Sequence, residues 1–129
     1  MSTSLFINLP VADLAASIAF YNQLGFTTNP AFTNDQGAGL EISPQIKLML
    51  LTQPFFQTFT HKALVDANSH TEVLLCLSQD SRSAVDDMVQ KALAAGGTAP
   101  RAAQDHGFMY GHGFEDLDGH IWELVYMES

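Results

Sequence analysis

The sequence has few basic residues and only one cysteine, and both shortages exclude classes of function. Five lysines and arginines stand against fourteen aspartates and glutamates, which gives a formal net charge of −9 at pH 7. Binding to nucleic acid or to an anionic membrane depends on clustered basic side chains, so neither partner is expected.

Cys76 has no second thiol in the chain with which to form a disulfide. Its apolar neighbours indicate a buried structural thiol in a reducing compartment rather than a nucleophile.

Long apolar runs are also lacking. No stretch approaches the roughly 18 consecutive apolar residues that a membrane span requires. The amino-terminal residues have neither the positive segment nor the apolar run of a signal peptide. We therefore predict a cytoplasmic protein with no membrane partner. A length of 129 residues, of which 47% are hydrophobic, fits a single domain over 1–129 with an ordinary core.

The first half of the chain predicts a strand, a helix and three further strands. Leu5 to Leu9 is predicted to form an apolar strand that ends at Pro10. The helix that follows has Asp13 as its N-cap and Gly25 as a left-handed stop. Phe26 to Phe32 is predicted to be extended, and a hairpin is predicted over residues 39–51.

The second half repeats this order. A strand is predicted from Thr71 to Leu77, and an amphipathic helix then ends at Gly96. The last hairpin pairs Phe108–Phe114 with Ile121–Met127 around the turn at Asp118-Gly119.

Two copies of one pattern predict half-repeats at about 4–52 and 71–127, because two long copies do not suit a solenoid. The linker between them, at about 53–70, is predicted to carry a short helix. Its phenylalanines leave open whether the linker only packs or also covers a ligand as a lid.

Two motifs resemble the glyoxalase/bleomycin resistance/dioxygenase, or vicinal oxygen chelate, superfamily. The opening residues are similar to its V-x-D-L, S-x-x-F-Y and L-G-F pattern, and the closing residues to D-P-D-G-x-x-x-E-L. The residues that carry these motifs are Val11, Asp13-Leu14, Ser17, Phe20-Tyr21, Leu24-Gly25-Phe26, Asp116, Asp118-Gly119 and Glu123-Leu124. Gln104 to Gly111 further resembles a bacterial glyoxalase-like subgroup. The resemblance implies an α+β fold whose two βαβββ modules, in a pseudo-twofold arrangement, form a cup-shaped mixed sheet.

The resemblance also implies a divalent metal in many members, and this chain departs from that pattern. Strand alternation directs Glu123 into the cup, where family metalloenzymes have a glutamate ligand. The matching positions on the first and fourth strands are Phe6 and Met49, and neither side chain suits a hard divalent metal. The remaining position falls at Glu72 or Val73. We therefore expect that the inherited metal site is lost and that no cofactor is bound.

A rebuilt site for a divalent metal is the alternative. His106, Tyr110 and His112 share the parity of one strand and would line a wall with Glu123, unless bulges at the nearby glycines break the alternation. A rebuilt metal set would comprise Glu123, Glu72 and His106.

Two function classes remain open. The resemblance implies either a small-molecule-binding protein of the bleomycin-resistance type or a lactoylglutathione lyase-like or extradiol dioxygenase-like enzyme. Binding would involve the residues predicted to line the cup: Phe6, Asn8, Met49, Glu72, Tyr110 and Glu123. Catalysis would involve Glu123 as metal ligand or general base, with His106 or Tyr110 as its partner. The loss of metal ligands at Phe6 and Met49 favours the small-molecule-binding protein over the enzyme. In either case the open sheet edges predict a homodimer.

Overall fold

The computed structural model describes residues 3–128, and the chain divides into two compact units between Val65 and Asp66. Each unit contains one four-stranded mixed sheet and one longer helix, so the predicted α+β fold with two βαβββ modules is confirmed. In chain order the elements are β1 (Leu5–Val11), α1 (Leu14–Gln23), β2 (Thr27–Asn29), β3 (Gly37–Ser43), β4 (Ile46–Thr52), α2 (Gln53–Phe56), β5 (Leu75–Ser78), α3 (Arg82–Ala94), β6 (Gln104–Asp105), β7 (Met109–Glu115) and β8 (Ile121–Met127).

The first unit has the strand order β1-β4-β3-β2, with β1 and β4 parallel. The α1 helix begins where the sequence predicts, because Asp13 Oδ1 accepts the N–H of Ala16 at 3.0 Å. It ends at Gln23, and Gly25, which follows the C-cap Leu24, has a φ of +100° in the left-handed region that favours glycine. The helix buries Phe20 and Tyr21 almost completely.

Two predicted boundaries in the first unit are wrong. β1 continues through Pro10 to Val11, which is tolerated because β1 lies at the edge of its sheet. Only Thr27–Asn29 of the predicted extended segment forms a strand. A 3-10 turn at Pro30–Phe32 follows, and Asn29 Oδ1 caps it by accepting the N–H of Ala31 at 3.0 Å.

The second unit has the order β5-β8-β7-β6 and packs α3 against β7 and β8. Ser81 Oγ caps α3 by accepting the N–H of Ala84 at 3.0 Å. The core residues of this unit are almost fully buried, and they come from one face of the helix and one face of the sheet: Val85, Val89, Ala92, Phe114, Trp122 and Leu124. Burial of these apolar side chains supplies the main stabilisation of the unit.

The ladder between β7 and β8 has no bulge, from Met109 opposite Met127 to Glu115 opposite Ile121. The glycines of β7 therefore do not break the alternation of side chains. Because Trp122 is buried towards α3, its neighbour Glu123 lies on the other face of the sheet.

The predicted strand from Thr71 is wrong in its first half, because β5 begins only at Leu75. Leu75 pairs with Trp122, the second residue of β8, so the partner strand offers almost no ladder to earlier residues. Residues 71–74 are exposed and lie outside any strand.

The predicted linker begins with the predicted short helix, α2, and a 3-10 turn at Gln57–Phe59 follows it. The rings of Phe55 and Phe59 meet edge to face, with centroids 5.3 Å apart. None of the helices within residues 3–128 is both long and apolar enough to cross a membrane.

Candidate functional site

The candidate site lies on the face of the second sheet that is turned away from α3. Three side-chain positions form a row across this face, because Cys76 of β5 and Gly113 of β7 are both opposite Glu123 of β8. The row places one carboxylate at the middle of the sheet, between a thiol and a position without a side chain.

A pocket of about 380 Å³ opens over this row. Its volume lies in the range of small-molecule sites. Most of its walls are apolar, and the polar or charged residues among those that line it are Cys76, Arg101, Gln104, His106, His112, Glu115 and Glu123.

The Glu123 carboxylate lies across the backbone of β7. A Cβ atom at Gly113 would stand 2.5 Å from Glu123 Oε2 and 2.8 Å from the carbonyl oxygen of Trp122. Real side chains do not approach so closely, so the carboxylate occupies space that only a glycine leaves open.

Within residues 3–128, the Glu123 carboxylate has no hydrogen-bond or ion-pair partner. Cys76 lies opposite Glu123 on the neighbouring strand, and its thiol responds to the carboxylate. Partial burial and the negative charge of Glu123 together raise the pKa of Cys76 above its ordinary value. Glu123 is therefore available to a cation or to a hydrogen-bond donor that enters the pocket.

Cys76 and Gly113 belong to the candidate site, and the sequence did not indicate either of them. The thiol is exposed and lines the pocket, contrary to the prediction of a buried structural cysteine. The apolar run around it contains the signal for a strand, but the residue opposite it on β8 depends on a parallel register that the sequence does not specify.

Tyr110 does not lie beside Glu123, although the sequence predicted that the two line one wall. Tyr110 faces α3, where its hydroxyl donates a hydrogen bond to Asp86 Oδ1 at 2.5 Å. This contact is the largest cause of the raised pKa of Tyr110. The reason is the unbroken alternation of β7, which puts Tyr110 and Gly113 on opposite faces.

The two predicted histidines both border the pocket, but they come from different positions. His106 lies in the turn between β6 and β7 rather than in a strand, and it is exposed. His112 lies in β7, and its Nε2 is 2.9 Å from the carbonyl oxygen of Arg101. The structure thus brings His106 to the pocket that contains Glu123.

The first sheet contains a row of the same geometry, in which Met49 of β4 lies opposite Asn8 of β1 and Gly39 of β3. Asn8 is exposed and donates from Nδ2 to the carbonyl oxygen of Phe6 at 3.3 Å. Phe6 is also exposed, at 57% of its surface. The first unit thus has the strand register of the second but a thioether where the second has a carboxylate.

Because the two sheets share one register, the residue of β5 that is equivalent to Phe6 of β1 can be identified. Phe6 lies two residues before Asn8, and the equivalent residue in β5 lies two before Cys76, which is Leu74. Leu74 lines the pocket, whereas the predicted Glu72 is exposed and is not among the lining residues. Phe6, Met49, Leu74 and Glu123 thus occupy equivalent positions of the two sheets, and only Glu123 has a side chain that suits a divalent metal.

One group of three potential metal ligands occurs within residues 3–128, at Asp116, Asp118 and His120, with ligand atoms within 4.8 Å of one another. Asp116 Oδ1 accepts the N–H groups of Asp118 at 3.0 Å and of His120 at 2.8 Å, which holds the turn before β8. This is the structural role that the sequence indicates for such an aspartate.

The predicted rebuilt set of Glu123, Glu72 and His106 does not form such a group within the described residues. A catalytic metal usually has three protein ligands. The residues around Glu123 thus do not fit the metal that the family implies.

Comparison with known proteins agrees with this fold. A family model described as bleomycin resistance protein-like N-terminal matches residues 3–43. A hypothetical protein from S. aureus of known structure is 31% identical over 98% of this chain and 94% of its own, with a TM-score of 0.82. A glyoxalase-related enzyme from Fulvimarina pelagi is 23% identical over 98% of this chain and 88% of its own, with a TM-score of 0.81.

A genomically encoded fosfomycin resistance protein from Listeria monocytogenes is 18% identical over 98% of this chain and 93% of its own, with a TM-score of 0.71. No curated protein matches the chain. The fold is that of the glyoxalase/bleomycin resistance/dioxygenase, or vicinal oxygen chelate, superfamily.

The contact between Glu123 and Cys76 predicts a shift in thiol reactivity. In Glu123→Gln, the pKa of Cys76 falls because the neighbouring negative charge is lost, but it stays above that of a free cysteine because the burial remains. The rate of alkylation by iodoacetamide, measured against pH, should reach half its maximum at a lower pH than in the wild type. Glu72→Gln is the matched control and should leave the profile in place; an unchanged profile in Glu123→Gln would contradict the contact.

The two pocket-facing glycines of β7 should differ in how much an alanine substitution changes the free energy of unfolding. Gly113→Ala should lower the free energy of unfolding by about 1–3 kcal/mol, because its Cβ meets the Glu123 carboxylate and a backbone oxygen. Gly111→Ala should change it by less than about 0.5 kcal/mol, since the nearest atom is the Leu124 oxygen at 3.4 Å. Urea denaturation of both variants measures the difference, and equal losses would show that Gly113 has no special role.

Proposed function

We propose that the protein binds a small organic molecule in the pocket of its second unit, without the metal of the family's metalloenzymes. The observation that carries this proposal is the Glu123 carboxylate, which has no partner within residues 3–128 and lies in a largely apolar pocket. A ligand that displaces water from Glu123 must compensate the carboxylate, because an unpaired charge in an apolar site is costly. The ligand therefore has an apolar body and a cationic or hydrogen-bond-donating group that contacts Glu123.

The relatives support a binding role of this kind. The family model that matches the amino-terminal residues is named for bleomycin resistance, and one solved relative is a fosfomycin resistance protein. Antibiotic-like compounds with an amine or guanidine group are accordingly the first class to test.

A second candidate function uses the same carboxylate as a general base. The lactoylglutathione lyase from Agrobacterium tumefaciens has a similar fold, with a TM-score of 0.71 at 17% identity. Glu123 has no hydrogen bond to lose within residues 3–128, and His106 borders the same pocket. Glu123 would accept a proton from a carbon next to a carbonyl group, and His106 would donate a hydrogen bond to the oxygen. The homodimer and the cytoplasmic location stay predictions.

Thermal shift and protection of the thiol together test the binding proposal. A library of small amines, guanidines and neutral analogues of the same shape is screened for compounds that raise the melting temperature. We expect that active compounds bear a donor group and slow the alkylation of Cys76, which lines the same pocket. In Glu123→Gln, the apparent affinity of the active compounds, derived from either effect, should fall at least tenfold, because a charge-assisted hydrogen bond is lost.

Glu72→Gln makes the same chemical change outside the pocket and should leave both effects unchanged. The proposal fails if the active compounds bind equally well to Glu123→Gln, or if they leave Cys76 unprotected.

A further inference from the structure

One wall of the pocket is a short hairpin, β6 and β7 with the turn between them. Gln104, His106 and Met109 of this hairpin line the pocket. β6 has only two residues, which pair with Gly111 and Tyr110. Such a short edge hairpin has few ladder hydrogen bonds with which to hold its own position.

The opposite side of the hairpin is attached to Arg82, the first residue of α3. Arg82 Nη1 lies 2.9 Å from Asp105 Oδ2, and Nη2 donates to the carbonyl oxygen of Gly107 at 2.7 Å. The guanidinium also stands over the ring of Tyr110, with Cζ 5.3 Å from the centroid. A more distant ion pair joins Arg82 Nη2 to Glu128 Oε1 at 3.8 Å.

These contacts fix the two residues on either side of His106. Asp105 Oδ1 also accepts the N–H of Gly107 at 2.9 Å, and the N–H of His106 is bonded to the carbonyl oxygen of Met109 at 2.8 Å. Gly107 has a φ of +82°, so the turn depends on a backbone conformation that favours glycine. The guanidinium therefore closes the turn from outside while the imidazole borders the pocket.

The position of Arg82 on its helix indicates that it serves this contact. A cation in the first turn of a helix is disfavoured by the helix dipole. Arg82 is also one of only five basic residues in the chain. A single exposed ion pair contributes little, but a planar guanidinium that contacts a carboxylate, a carbonyl oxygen and a ring together restricts the geometry strongly.

We propose that Arg82 is a positioning residue that fixes the wall bearing His106, although Arg82 itself does not line the pocket. The consequence for ligand affinity rests on the proposed function. The consequence for the hairpin does not, so the two can fail separately.

Amide hydrogen exchange measured by NMR tests the hairpin directly. In Arg82→Ala we expect the amides of His106 and Gly107 to exchange at least tenfold faster than in the wild type. Amides in the buried centre of α3, such as that of Val89, should keep their rates, because the opening is local. Lys91→Ala is the matched control, since Lys91 is an exposed base on the same helix and should leave the hairpin unchanged.

Asp105→Asn provides a second variant in case Arg82→Ala folds poorly. It keeps an oxygen that can accept from Gly107 but removes the charge that faces Arg82, so it should speed exchange of the same two amides by a smaller factor. Unchanged exchange at His106 and Gly107 in both variants would overturn the proposal.

Labelling of Cys76, the sole cysteine, measures the effect of Arg82→Ala on the pocket itself. The ratio of the rates at which N-(1-pyrenyl)maleimide and iodoacetamide label Cys76 reports the width of the pocket, because the fraction of thiolate cancels. Arg82→Ala should raise this ratio several-fold and Lys91→Ala should not. If exchange and labelling respond but no compound binds at Glu123, then Arg82 positions the wall and the proposed function alone is wrong.

Discussion

The pairing of β7 with β8 is the constraint on which the second unit depends. Its seven residue pairs run without a bulge, and each strand therefore presents strictly alternate side chains to the two faces. Phe114, Trp122 and Leu124 go to the core under α3. Glu123 must then go to the other face, where Gly113 leaves room for its carboxylate. A slip of one residue would exchange the two sets, burying the carboxylate and exposing the tryptophan.

The two sheets show how one backbone register serves different chemistry. In each sheet, a central strand places one side chain between an edge strand and a glycine. In the first unit that side chain is Met49, with Asn8 and Gly39 beside it. In the second it is Glu123, beside Cys76. An apolar thioether needs no partner, whereas a carboxylate that is partly withdrawn from water does. The second unit thus carries the residue that a ligand would compensate.

Much of the fold could be predicted because the signals are local. Asp13 and Gly25 bound the first helix through a cap and a positive φ, and both act within a few residues of themselves. The start of β5 could not be found in this way, since it depends on where the distant strand β8 begins. The same dependence on β8 explains why Glu72, which was predicted to line the cup, lies outside the pocket.

Of the residues that the sequence singles out, the structure places Glu123 and His106 at one pocket. Alternation alone directs Glu123 away from the bulky residues of β8. Tyr110 was misplaced although the alternation of β7 is unbroken, because the register with β8 decides which set of β7 residues shares the face of Glu123, and it puts Gly113 there. The sequence did not indicate Cys76 or Arg82, because the pairing of β5 with β8 and the contacts of α3 with the hairpin join residues that are far apart in the chain.

We propose above that Glu123 contacts a small organic molecule rather than a metal ion. The most direct test is the metal content of the wild type and of Glu123→Ala, measured by mass spectrometry after chelation and reloading with zinc, nickel, manganese and iron. The account predicts that neither protein retains a stoichiometric amount of any of these metals. Stoichiometric metal in the wild type that disappears in Glu123→Ala would contradict it and would indicate a metal-dependent enzyme.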